Sequence, residues 1–181
     1  MRGSEEQRRL DVALSRERYR ALRAALIRAG DGREHGAFLF AKPQSEQLVE
    51  VIDFELLQAV HFESQGFGYL ELRDGALQEM ILRAHQCETA LIEAHSHPFS
   101  IGPSVSFSPF DEEGLSEVAP HVVWRLPGRP YVALVFGQQA FDGLFWSTHS
   151  RTPRGTVDLV VDGELLRGSG QSLDRWGGRR R

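Results

Sequence analysis

Strand-forming runs crowd this chain with too few residues between them to hold a helix. Residues 131–136 read Tyr-Val-Ala-Leu-Val-Phe, a turn over 138–143 follows, and residues 144–146 bring the chain back. Residues 157–161 and 164–166 then flank Asp162-Gly163, a strong hairpin signal. Parallel neighbours need a crossover of a dozen residues or more, whereas a tight turn joins antiparallel ones. A sheet built from these runs is therefore expected to be mixed rather than purely parallel.

The rest of the chain supplies helices between strands. Leu10, Val12 and Leu14 alternate with polar or small residues, the period of a half-buried strand. Ser15 stands where a helix N-cap belongs, and Tyr19, Leu22, Leu26 and Ala29 form one helical stripe that should stop near Gly30. Ala37-Phe38-Leu39-Phe40 reads as a buried strand, and residues 48–54 as another. Residues 61–68 read as a loop containing Gly and Ser. Leu77, Met80, Ile81 and Ala84 give a second helix over 75–90, whose stripe Cys87 continues, before a strand over 91–97. A loop rich in Ser, Pro and Gly leads to a third helix starting near Ser108, which Pro120 is expected to disrupt or end.

This order predicts one α/β or α+β domain over residues 10–167, with a core at 10–147 and a C-terminal hairpin. Residues 1–9 are polar and expected to be flexible. Residues 168–181, dominated by Gly, Ser and Arg, are expected to form a flexible tail.

Composition removes several function classes. Net charge is −4, and no basic stripe runs along any expected element, which argues against a nucleic-acid partner. Cys87 is the single cysteine, so an internal disulfide is impossible and a reducing compartment is expected. With neither a long apolar run nor an export leader, the sequence reads as cytoplasmic, with no membrane partner.

The chemistry concentrates at His95-Ser96-His97. Side chains at i and i+2 of a strand share a face, so the two imidazoles can share a metal. Asp111, after a loop, can supply a third ligand from the start of the next helix. Two histidines and one carboxylate leave the fourth tetrahedral position open, the pattern of catalytic rather than structural zinc. Each piece also has a plain structural explanation. Ser108-Pro109-Phe110-Asp111 is the spelling of a helix capping box with proline at its first helical position.

Taken together, Glu34, His95, His97, Pro98, Ser108 and Asp111 resemble the JAMM motif of the JAB/MPN metalloprotease family, over roughly residues 10–147. The likeness is greatest to compact bacterial members encoded beside ubiquitin-like conjugation enzymes. The loop after His97 is longer than the family's, which leaves Ser104 and Ser106 as alternatives to Ser108. The resemblance implies a cytidine-deaminase-like domain, a mixed central sheet flanked by helices. It implies Zn2+ on His95, His97 and Asp111, with Glu34 as the proton shuttle of a metal-activated water and Ser108 as the oxyanion donor. The implied function is a zinc isopeptidase or peptidase, deubiquitinase-like, that removes or matures a ubiquitin-like protein, with E1-like and E2-like enzymes as further partners. A peptidase acting on a sulfur-carrier protein or small peptide, and a non-catalytic MPN scaffold, are the competing expectations.

Overall fold

The chain is described by a computed structural model over residues 8–28, 30–66, 69–73 and 75–178. Residues 1–7 and 179–181, part of the stretches expected to be flexible, lie outside the described residues. Strand β1 (Arg8–Leu14) runs into Ser15, whose hydroxyl accepts the backbone N–H of Arg18 and starts helix α1 (Arg16–Leu26). Strands β2 (Gly36–Ser45) and β3 (Leu48–Leu56) form a long antiparallel pair. A small two-stranded sheet of β4 (Phe62–Gly66) and β5 (Tyr69–Leu72) follows. Helix α2 (Ala76–Gln86) leads to β6 (Ala90–Ser96), and helix α3 (Pro109–Arg125) to β7 (Tyr131–Phe136). Strands β8 (Phe141–Trp146), β9 (Gly155–Val161) and β10 (Glu164–Arg167) precede helix α4 (Gln171–Gly178).

The expected central sheet flanked by helices is not what these strands build. In order β1-β3-β2-β6-β7-β8-β9, each bonds to the next, and β9 returns to β1 through parallel pairs from Arg8↔Gly155 to Leu14↔Val161. Of eight strands in the sheet, β10 stands outside on β9, so seven close into a barrel. The α/β sandwich of a JAB/MPN-like, cytidine-deaminase-like domain is thereby overturned. The reason is the seam. It joins residues 147 positions apart (155 − 8), a pairing that local periodicity does not encode. Closure removes the free edges that an open sheet exposes.

The seam also explains a glycine. A Cβ at Gly155 would fall on the backbone carbonyl oxygen of Arg8, so β9 approaches β1 there too closely for any side chain. The barrel interior is filled by alternate residues of its strands, among them Leu10, Val12, Leu39, Ile92, Leu134 and Leu159, joined by Leu22 and Leu26 of α1. The outer faces of β2, β6, β7 and β8 carry a second core, which α2, α3 and α4 cover.

Other local expectations also give way. Residues 62–66 and 69–72 pair as a hairpin rather than forming a loop. Helix α3 runs through Pro120 to Arg125. An internal proline costs about 3 kcal/mol, but Leu115, Val122 and Val123 are buried beside it, at about 1.5–3 kcal/mol each. Cys87 is exposed at the end of α2. The segment after Gly168, expected to have little order, forms α4 and buries Trp176 against Trp146 with ring centroids 5.9 Å apart. Asp162-Gly163 makes the tight turn between β9 and β10 with φ of 48° and 84°. Among the described residues, no helix is long and apolar enough to cross a membrane.

Candidate metal centre

Strand β6 alternates between the two cores. Ala90, Ile92 and Ala94 enter the barrel, while Leu91 packs in the outer core and Glu93 and His95 share its face. His97 continues that face just past the strand end, where its N–H donates to the Phe136 carbonyl. Antiparallel pairing of β2 with β6 places Gly36 opposite His95. Continuing the same register places Glu34 opposite His97, and the Glu34 Oε1 to His97 Nε2 distance is 3.7 Å. Helix α3 brings Asp111 to the same place from its first turn.

The three expected ligands converge. Nε2 of His95 and Nε2 of His97 are 3.3 Å apart. Oδ2 of Asp111 is 3.6 Å from the first and 3.3 Å from the second. These distances fit a metal. Ligands about 2.0–2.2 Å from a tetrahedral ion stand about 3.3–3.6 Å apart. Among the described residues, His95, His97 and Asp111 are the group that could hold such an ion.

The capping reading of Ser-x-x-Asp holds at the same time. Ser108 Oγ accepts the Asp111 N–H at 3.2 Å, and Asp111 Oδ2 accepts the Ser108 N–H at 2.6 Å. Ser108 Oγ accepts in this box while its own hydroxyl faces the Asp111 carboxylate. Of the alternatives, Ser106 accepts a hydrogen bond from Arg175 of α4 at 2.8 Å. The long loop before Ser108 is held from behind. Ser169 donates to the Val105 carbonyl at 2.5 Å, and Phe107 N–H donates to Ser172 Oγ at 3.0 Å. Phe107 is fully buried against the His95 ring, and Phe99 stacks on His97.

Several positioning contacts were not visible in the sequence. Ser96, between the two histidines, points the other way and accepts the His35 N–H at 3.0 Å, fixing the backbone next to Glu34. Gln65 of β4 donates to the Glu34 carbonyl at 2.7 Å, and Glu34 N–H donates to the Gly66 carbonyl at 3.2 Å. His35 bonds Asp31 at 2.8 Å rather than Glu34. Only the adjacency of Ser96 to both ligands, and of His35 to Glu34, hinted at these roles.

Burial shapes the electrostatics. Desolvation raises Glu34 to about 7, with Asp111 adding to the rise and His95 opposing it. Burial also works to raise Asp111. Hydrogen bonds from His95, His97 and Ser108 outweigh it and hold that carboxyl far below its ordinary value. Burial pulls His95 down, while the bond to Asp111 and the charges of Asp111, Glu34 and Glu93 carry it net upward.

A groove of about 390 Å³ opens beside the centre between the β4–β5 hairpin, α2 and α3, with Glu34, Glu93, His95 and Asp111 along it. Sheet strand β5 pairs with β4 on one side and has no strand on its other side among the described residues.

Comparison with known families finds no match, and neither does comparison with curated proteins. Among solved structures, the chain is similar to a Desulfitobacterium hafniense protein known from its solution structure. The two share 13% identity over 86% of this chain and 95% of that one, with a TM-score of 0.47. A likeness so slight carries neither fold nor function across.

Proposed function

We propose that this protein is a zinc-dependent hydrolase of amide or isopeptide bonds, acting on the C-terminal tail of a ubiquitin-like protein. The observation that carries the reading is the meeting of Glu34 with His95, His97 and Asp111 in one half-enclosed centre, with ligand spacings suited to a tetrahedral ion. The reading rests on this constellation and not on the barrel, since one fold serves many chemistries.

Zinc held by His95, His97 and Asp111 would supply a Lewis acid and bring water toward ionisation near neutral pH. The chain's own residues do the rest. Glu34, buried beside His97, is placed to accept a proton and return it to a leaving amine. The Ser108 hydroxyl, which hydrogen-bonds the Asp111 carboxylate, can turn to an oxygen that gains charge. The free side of β5 offers an extended tail a strand to pair with, and the groove takes its side chains. E1-like and E2-like enzymes of a conjugation system are the partners this reading implies.

The test is cleavage of a ubiquitin-like protein from neighbouring genes, fused to a reporter, by the zinc-loaded full chain. Glu34→Gln is expected to lose about 10²–10⁴-fold in kcat while retaining zinc. Full activity in a purified Glu34→Gln or Glu34→Ala protein would sink the mechanism. Cleavage of a sulfur-carrier protein instead would keep the chemistry and replace the substrate.

A further inference from the structure

The groove beside the metal centre has apolar walls and an acidic floor. Leu57, Leu70 and Leu72 line one side, and Leu77, Leu115 and Val118 the other. The floor is Glu93, two residues before His95 on the same face of β6. One of its oxygens, Oε2, accepts the hydroxyl of Tyr131, a fully buried residue. Its other oxygen has no hydrogen-bond partner among the described residues.

Away from Glu34 and the ligand set the groove carries two carboxyl groups, Glu71 and Glu93, and among the described residues the one guanidinium lining it is that of Arg73. Arg73 is already paired, its Nη2 lying 3.1 Å from Glu79. A ligand suited to this lining has a long apolar stem and a cationic end. Lysine and arginine side chains have that form, laying their methylenes on apolar surface while the head seeks a polar partner.

We propose that Glu93 is a specificity-determining residue that receives the cationic end of a substrate lysine or arginine, whose stem lies along the leucine walls. Two residues of strand span about 6.7 Å, so Glu93 lies about two residues of extended peptide from His95. The residue whose head reaches Glu93 is therefore sought at the positions nearest the scissile bond. This rests on the reading of the centre as a hydrolase. A charge-assisted bond of this kind discriminates by about 10- to 100-fold.

The experiment uses the zinc-loaded full chain and extended fluorogenic peptides. Arginine, lysine, norleucine and glutamate are placed in turn at each of two positions either side of the scissile bond. The same arginine and norleucine peptides, made non-cleavable by a reduced amide, are titrated calorimetrically. Arginine or lysine at one position is expected to exceed norleucine by about 10- to 100-fold in kcat/KM, chiefly through KM, and by a similar factor in affinity. In Glu93→Gln that ratio is expected to fall toward one with zinc content retained. If Glu93→Gln does not fold, the arginine-to-norleucine comparison on the unaltered chain decides alone. Cleavage without preference for a basic residue overturns the role of Glu93 and leaves the hydrolase standing. Preferential binding of the arginine peptide without any cleavage supports the groove and overturns the hydrolase. Neither cleavage nor preference overturns both.

Discussion

Asp111 accepts the Ser108 backbone N–H at 2.6 Å with the same oxygen, Oδ2, that faces both histidines. One carboxylate thus closes the start of α3 and completes the candidate ligand set, so the helix cap fixes where the proposed third ligand stands. The two jobs can be separated. Asp111→Asn keeps an oxygen for the Ser108 N–H but removes the anionic ligand, and Asp111→Ala removes both. Zinc content, read by atomic emission, is expected to fall sharply in both. Unfolding midpoints measured with chelator present should drop further in Asp111→Ala, by about 0.5–2 kcal/mol of lost cap. Equal, full zinc loading in Asp111→Asn would remove Asp111 from the ligand set.

Ser108 is expected to show the complementary split. Ser108→Ala loses the cap bond to the Asp111 N–H, worth about 1 kcal/mol. It also loses the hydroxyl proton, with a drop of about 10²–10³ in kcat and little change in KM. A variant that is less stable yet turns over normally would leave Ser108 a cap and nothing more.

Ser96 tests the backbone that carries Glu34. It is fully buried, and its loss strands the His35 N–H without a partner. Ser96→Ala is expected to cost about 1–3 kcal/mol in chemical denaturation. Displacement of Glu34 should lower kcat by up to about 10²-fold with zinc still bound. Unchanged turnover would show that Glu34 is held by Gln65 and Gly66 without help from Ser96.

The barrel seam has its own test. Gly155→Ala would drive a methyl group into the Arg8 carbonyl and is expected to destabilise by at least about 1–3 kcal/mol. Gly114 in α3 has open space around its Cβ position. Gly114→Ala should stabilise by up to about 1 kcal/mol through helix propensity. Equal denaturation midpoints for the two variants would argue that the seam is looser than the approach of Gly155 to Arg8 implies.

The sequence made the site more legible than the fold, for physical reasons. His95 and His97 lie two apart on a strand, and a period of two fixes their shared face without tertiary information. Ser108 and Asp111 were legible as a cap, and the cap sets Asp111 beside His95 and His97. Asp162-Gly163 specified its turn because few residue pairs accept positive φ twice. The seam between β1 and β9 left no local trace, since either strand reads the same whichever neighbour it finds. Pro120 was misleading because propensity weighs one residue, while α3 is decided by the core beneath it. Residues 171–178 looked polar and small, yet the single indole of Trp176 was enough to seat them.

The seam sets a schedule for the chain's synthesis. Residues 8–14 emerge from the ribosome early, but the partner they zip to in parallel, residues 155–161, is made only after nearly all the rest. The first strand must wait, part-paired with β3 alone, through translation of almost the whole domain. Contacts of such long range form slowly and late. A fragment stopped at residue 147, the end of the motif-bearing stretch, would carry both histidines, Asp111 and Glu34, yet leave the barrel open along its first strand.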